Sequence, residues 1–291
     1  MQALRRRGVD AKLVVVERQR MHPEADVDLA RGPGLWGQVR AQWPAFARLL
    51  PQTDVFHFYF GWTLLPKFLQ FPILKAARRK SIYHFLGRDI RGRSERELAY
   101  RHQADACIVG SYDAIRWVPE AEVVPPGIDL AGIEAPPPPE RERPLVVHAP
   151  TGRERKGTEH VIAACERLPV DLEIVEGLHH DDAFERYKAA DIVVDQLNAG
   201  WYGIFAIEAM ALGKPVLTFL HAEAVRRTEE AFGARVPLVR VTKETLRENL
   251  ARLAADPEAR ARIGTASRAY VERVHASERI ADRLIEIYSR A

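Results

Sequence analysis

Strand-like and helix-like segments alternate along almost the whole of this chain, and one proline run divides the alternation in two. Before the run, Ala11 to Val16, Asp54 to Tyr59, Ser81 to Leu86 and Ala106 to Gly110 read as strands, with Glu122 onward as a short strand running into a turn. Helical spacing covers Trp36 to Leu50 and Leu64 to Arg79, and a polar, Pro- and Gly-containing stretch runs from Arg20 to Gly34. Strands that alternate with helices predict a parallel sheet, because successive parallel strands need a crossover between them. Pro136 to Pro139 and the charged Glu140 to Arg143 then read as a stiff, solvated linker. Beyond it the pattern restarts with Leu145 to His148, a helix over Thr158 to Leu168, and Leu172 to Val175. A helix over Asp181 to Ala190 and strands at Asp191 to Asp195 and Val216 to Leu220 follow, with helices filling the remainder from Ser277 onward.

At 291 residues the chain exceeds the usual size of one core, so two domains are expected. The spacing predicts an N-terminal Rossmann-like domain over 1–133, a linker over 134–143 and a second Rossmann-like domain over 144–275. A closing helix over 276–291 is expected to pack back on the first domain. Gln2 to Arg7 reads as the last turns of a helix with Gly8 as its C-cap. A Rossmann-like domain normally starts one strand and one helix earlier, so the first domain is expected to lack its opening βα unit.

Composition excludes several classes. The formal charge is only +3, and no basic-aromatic stripe occurs, so nucleic acid is not an expected partner. Cys107 and Cys165, the two cysteines, both lie in apolar runs and read as small buried hydrophobes in a reducing compartment. No Cys/His spacing makes a zinc site, and His179 and His180 beside Asp181 and Asp182 read as solvated helix-start residues. No metal or cofactor is called for. No apolar run approaches the length of a membrane span, and Met1 leads directly into Leu4-Arg5-Arg6-Arg7 without a signal peptide. A cytoplasmic protein is expected, with peripheral contact at a membrane surface left open.

The chemistry concentrates in Gly200-Trp201-Tyr202-Gly203-Ile204-Phe205-Ala206-Ile207-Glu208-Ala209-Met210-Ala211-Leu212-Gly213-Lys214-Pro215-Val216. It reads as a glycine-hinged turn, a buried helix carrying one carboxylate, a glycine stop and a strand. Gly203 brings backbone close to a ligand, and the amides that open the following helix suit a phosphate. Glu208, among Phe205, Ile207 and Met210, is costly to bury unless a ligand hydroxyl or an Arg or Lys partner hydrogen-bonds it.

These segments resemble the GT-B glycosyltransferases, and within them the retaining group often called family 4. The E-A-M-A-x-G-x-P-V core is matched at every fixed position from Glu208 to Val216. In the first domain Asp54-Val55-Phe56-His57, Leu86-Gly87-Arg88-Asp89-Ile90-Arg91 and Val124-Pro125-Pro126-Gly127-Ile128-Asp129 are similar to the family's D-V-x-H, H-G-S-D and V-P-N-G-I-D segments. In the second, His148-Ala149-Pro150 through Arg153-Glu154-Arg155-Lys156-Gly157 is similar to its basic phosphate-binding loop.

The resemblance implies an α/β fold of two Rossmann-like domains whose parallel sheets face across a cleft. A nucleotide-diphosphate sugar would bind the second domain, and an acceptor hydroxyl on a glycan, lipid or small molecule would approach from the first. Arg153 and Lys156, with Arg155 as a substitute for either, would balance the charge of the departing diphosphate. Glu208 would hold the ribose hydroxyls. The amides of Gly203, Ile204 and Phe205 would meet the diphosphate or sugar, and Trp201 and Tyr202 would offer flat faces to sugar or base. His57, His84 and Asp89 are the acceptor-side candidates; Asp89 and Arg91 line the cleft or pair with each other.

Two departures stand beside the matches. The family's first glutamate, which contacts the donor sugar, falls at Gly200, so Asp195, Gln196 or Asn198 is expected to hold the sugar instead. The family's histidine falls at Leu86, with His84 two residues earlier on the same face of a strand. A non-catalytic relative that binds nucleotide or glycan, or serves as a scaffold for an active partner, is the alternative. An epimerase on the same fold is a third reading, for which no acid and base are placed.

Overall fold

The computed structural model describes residues 1–15, 25–29, 34–137 and 141–291, with the backbone alone for 34–39. The expected polar stretch after Val16 and the centre of the proline linker lie largely outside the described residues. The chain forms two compact units, Met1–Pro125 with Ile280–Ala291, and Pro126–Arg279. The division falls before the expected end of the first domain, and the last helix is counted with the first unit from Ile280 onward.

Helix α1 (Gln2–Arg6) opens the first unit, and Gly8 behind it has φ +81. Two short parallel strands follow, β1 (Val14–Val15) and β2 (Val27–Asp28). Helix α2 (Gly34–Leu49) precedes a four-stranded parallel sheet: β3 (Val55–Tyr59), β4 (Lys80–Phe85), β5 (Ala106–Val109) and β6 (Glu122–Val123), in that spatial order. Between these strands lie α3 (Lys67–Ala76) and the one-turn α4 (Glu95–Leu98), whose Ser94 and Glu97 form a reciprocal capping box.

Strand alternation sorts this sheet's side chains to two faces. Phe56, Phe58, Tyr83, Phe85, Cys107 and Val109 join Phe71, Leu74 and Leu98 in one apolar layer. Ile82, Ile108 and Val124 point the other way, against Ala3 and Leu4 and against Ala281, Leu284 and Ile287 of the chain's last helix. Burying each such large side chain stabilises the fold by about 1.5–3 kcal/mol, which makes that helix part of the first unit's core.

The second unit holds a five-stranded parallel sheet. Its strands are β7 (Leu145–His148), β8 (Asp171–Ile174), β9 (Ile192–Val194), β10 (Val216–Thr218) and β11 (Val239–Arg240), in the spatial order β11-β10-β9-β7-β8. The crossovers carry α5 (Arg153–Lys156), α6 (Thr158–Cys165), α7 (His180–Ala189), α8 (Ile204–Ala211) and α9 (Ala222–Phe232). Helices α10 (Leu246–Ala255), α11 (Pro257–Val274) and α12 (Ser277–Arg290) complete the chain.

The inner strands β7, β9 and β10 are mostly apolar and buried because both sheet faces are covered there, the usual state of a parallel sheet, whereas the edge strand β8 carries Asp171 and Glu173 and is only partly buried. Helix α8 is buried almost throughout and packs closely on α11: Gly264 faces the backbone carbonyl of Gly213, where any side chain would collide with it. Arg268 on α11 donates to the Ala211 carbonyl at 2.8 Å, which satisfies a last-turn acceptor of α8. No described helix is long and apolar enough to cross a membrane.

Candidate functional site

The site grows from the carboxyl ends of the second unit's strands, where α/β sheets present their ligand-binding loops. After β7 the chain turns through Gly152 into the single turn α5, then through Gly157, whose φ of +76 is left-handed. A side chain at Gly157 would press on Leu197, so glycine lets this loop close against the one that follows β9. Two hydrogen bonds tie the same loops together: Leu197 N–H donates to Lys156 O at 3.1 Å, and Asn198 Nδ2 donates to Glu154 O at 2.8 Å. His148, fully buried at the end of β7, lies 2.7 Å from Val194 O and 2.9 Å from Thr158 Oγ1, and serves as a structural clip.

Lys156 and Asp195 form the centre of this arrangement. Lys156 Nζ lies 2.5 Å from Asp195 Oδ1, and the Gly203 amide donates to Asp195 Oδ2 at 2.8 Å. Asp195 is fully buried and Lys156 nearly so. Both carboxylate oxygens are thereby engaged: Asp195, expected from the sequence as a sugar-holding residue, holds the lysine and the start of α8. It also removes Gly203 from the ligand-facing amides. The amides available to an anion are those of Ile204, Phe205 and Ala206, which have no intrahelical carbonyl to meet. A Cβ at Gly203 would meet Lys156 Nζ at 3.5 Å, an ordinary van der Waals contact, so space does not demand glycine there.

Arg153 is directed outward. Its guanidinium forks onto Glu176 at 2.8 and 3.1 Å, with Glu159 at 3.7 Å, and a ligand phosphate must compete with these carboxylates for it. Arg155 donates to Thr151 Oγ1 at 2.6 Å and does not join Lys156.

Glu208 lies one turn into α8 and is buried. Its partner is neither arginine nor lysine: His180 Nε2, at the start of α7, is 2.7 Å from Glu208 Oε1. Burial pushes the Glu208 carboxyl above its usual range, and the His180 contact only partly offsets this. Burial pulls the His180 imidazole down, but the hydrogen bonds and charges of Glu208 and Asp181 outweigh it and hold it above its ordinary value. The two groups titrate as a pair. His180 is therefore not the solvated helix-start residue its sequence context suggested; nothing local marks it, because its partner lies 28 positions away. Phe205 is buried against the Tyr187 ring, 4.6 Å between centroids, beside this pair.

Trp201 and Tyr202 do not present faces to a ligand. Both are buried, stacked on each other at 4.7 Å, and the Tyr202 hydroxyl lies 3.0 Å from Tyr270 Oη and 3.0 Å from His275 Nε2. They anchor the turn before α8 to α11. Gln196 and Asn198 also serve this turn, since Gln196 Oε1 accepts from the Asn198 and Ala199 amides at 3.0 and 2.5 Å.

In the first unit, His57 and His84 are brought together. His57 Nε2 is 3.1 Å from His84 Nδ1, and His57 Nδ1 is 2.6 Å from the Tyr288 hydroxyl on α12. Tyr59 stacks on His57 at 4.6 Å. Burial drives His57 down to about 3 and His84 well below its ordinary value, so both are neutral near pH 7. Asp89 closes the loop after β4, accepting from the Leu86 amide at 3.1 Å. Its other oxygen is buried without a protein partner among the described residues, and burial raises its carboxyl. Arg91 pairs with Asp113 at 3.0 Å rather than with Asp89. No cluster of three or more His, Cys, Asp or Glu fit to hold a metal occurs among the described residues.

Residues 152–270 match the family model of the glycosyl transferases group 1. Solved structures with the same fold include the sucrose-phosphate synthase of Thermosynechococcus elongatus, 18% identical over 99% of this chain and 90% of that one, with a TM-score of 0.70. Anabaena HepE, solved in complex with UDP and glucose, is 17% identical over 91% of this chain and 85% of its own, with a TM-score of 0.63. A glycosyltransferase from Rickettsia africae is 11% identical over 91% of this chain and 84% of that one, with a TM-score of 0.64. No curated protein matches the chain by sequence. The chain has the GT-B glycosyltransferase fold. The match to the glycosyl transferases group 1 lies within its second unit, and the matched segment contains the whole of the Lys156, Asp195, Gly203 and Glu208 arrangement.

Proposed function

We propose that the chain is a glycosyltransferase that moves a sugar from a nucleotide-diphosphate sugar to an acceptor hydroxyl, with retention at the anomeric carbon. The observation that carries this reading is the Lys156 ammonium fixed on buried Asp195 beside the open amides of α8, with Glu208 one turn further on. Diphosphate sits at the ammonium and amides, and ribose hydroxyls reach Glu208. In the transfer the bond from the sugar's anomeric carbon to the phosphate oxygen breaks and its electron pair leaves with the diphosphate. The acceptor oxygen bonds to that carbon from the same face, and its proton passes to the departing phosphate. Lys156, and Arg153 once released from Glu176, supply positive charge where negative charge builds, the largest single contribution such a site makes. The site residues call for no resident cofactor. HepE, bound to UDP and glucose on the same fold, supports a nucleotide sugar as the donor.

The first unit's His57, His84 and Asp89 are the acceptor-side residues in this reading, for a glycan, lipid or small-molecule hydroxyl in the cytoplasm or at a membrane surface. A second reading, a relative that binds nucleotide without transferring sugar, is favoured by one observation: position 200 offers no carboxylate. Thermal shift with UDP, GDP and ADP, followed by donor hydrolysis and transfer assays, separates these. A nucleotide-induced rise in melting temperature with turnover that is lost in Glu208→Ala and Arg153→Ala supports the transferase. Binding without turnover supports the second reading, and no shift with any nucleotide overturns both.

A further inference from the structure

Gly200, at the start of the turn that leads to α8, has φ +78. A methyl group built there would run into Cδ2 and Nε2 of the His221 imidazole and lie 3.1 Å from its Cγ. The left-handed backbone favours glycine here, and any side chain would have to displace the His221 ring. His221 is held in that place from two sides: its amide donates to the Gly200 carbonyl at 2.9 Å, and the Phe219 ring meets its imidazole edge-on at 5.3 Å. It stands at the N-cap of α9, and it is half-buried.

The volume just off the Gly200 backbone is thus filled by an imidazole delivered from the loop after β10. The same turn runs on to Gly203, whose amide rests on Asp195, and thence to the open amides of α8. Gly200 stands three residues before the Gly203 N-cap, so the turn it opens borders the amides at which the proposed diphosphate would sit.

Resting on the donor-site reading above, we propose that His221 is the side chain that contacts the donor's sugar, in place of any side chain at position 200. An imidazole suits this role because one ring nitrogen donates and the other accepts, so it can bond a sugar hydroxyl in either sense. It also adds no negative charge beside a diphosphate, as a carboxylate would. On this inference Gly200 and His221 form one unit, with the glycine present to admit the ring.

The test compares binding of UDP, GDP and ADP with binding of UDP-glucose, UDP-N-acetylglucosamine, GDP-mannose and ADP-glucose by calorimetry. Wild type is expected to bind at least one nucleotide sugar more tightly than its parent diphosphate. In His221→Ala, diphosphate affinity stays within about 2-fold while the sugar's added affinity falls by about 5- to 10-fold, the scale of one neutral hydrogen bond. His221→Gln, which keeps a donor and an acceptor, restores part of it, and circular dichroism checks that both variants are folded. An unchanged sugar increment in His221→Ala, or no increment in wild type for any of the four donors, overturns the inference while leaving the nucleotide site standing. Failure of wild type to bind every diphosphate and every donor overturns the donor-site reading and the inference with it.

Discussion

Asp195 grips Lys156 through one oxygen, at 2.5 Å, and the amide of Gly203 through the other, at 2.8 Å. One buried carboxylate thereby joins the basic loop after β7 to the start of α8, and fixes a positive charge beside helix amides. The pair is positioned before any ligand arrives, so an anion bound there meets little reorganisation cost.

Removing that carboxylate's charge exposes the cost of the arrangement. Asp195→Asn leaves a nearly buried ammonium unpaired, and breaking such a pair costs about 3–5 kcal/mol. Urea denaturation is expected to show a loss of that size, with nucleotide affinity falling as well. A variant as stable as wild type would mean that Lys156 finds water or another partner.

In the proposed function Glu208 holds the ribose, so its loss would act on one part of the ligand. Glu208→Ala is expected to weaken nucleotide binding about 10-fold or more, the scale of a hydrogen bond to a charged group. Binding of the matching 2′,3′-dideoxynucleotide is expected to change little. Equal losses for both ligands would assign Glu208 to packing alone.

The His180 and Glu208 pair gives stability a pH dependence of defined sign. His180 is held above its ordinary 6.5, so its stabilising contribution is complete below that value and is lost as pH rises through the raised one. Glu208 is also raised, so further acidification protonates it and leaves the imidazolium beside a neutral carboxyl. The melting-temperature difference between wild type and His180→Ala is therefore expected to be larger near about pH 6 than near about pH 9. A difference that is flat over that range would show that the ion pair adds nothing to stability.

In the first unit the sign reverses. His57, depressed to about 3, and His84, depressed well below 6.5, stay neutral in the fold but take up protons when unfolded. Stability is thus expected to fall as pH drops below about 6.5, because the unfolded chain binds more protons. His84→Asn is expected to flatten the acid limb of a melting-temperature profile, and an unchanged limb would place the acid sensitivity elsewhere.

Close helix packing supplies a prediction independent of any ligand. A methyl at Gly264 would overlap the Gly213 carbonyl, so Gly264→Ala must push α11 away from α8. A loss of about 1–3 kcal/mol is expected by denaturant titration, the usual cost of overpacking. No loss would show that the two helices shift freely.

Much of the architecture is legible in one dimension. The expected strands at Asp54 to Tyr59, Ser81 to Leu86 and Leu145 to His148 are present with edges moved by a residue or so, because apolar runs between glycine and proline punctuation are a local signal. The loop that carries Arg153 and Lys156 and the helix that carries Glu208 were legible in the same way, as short segments, but Arg153 turns to Glu176 while Lys156 meets Asp195. Trp201 and Tyr202 depart from expectation. Their glycine-rich context suggested open faces, but Tyr270 and His275, from far along the chain, bury them instead.

The sequence by itself determined two runs of strand and helix, and one buried glutamate behind a glycine-hinged turn. Only the tertiary structure decided what each polar group answers to. Asp195 answers to a lysine 39 positions away, Glu208 to a histidine 28 positions away, and Gly200 to the ring of His221. Backbone periodicity is written in neighbours, whereas burying a charge requires a partner from wherever the fold brings one, and no local pattern names that partner.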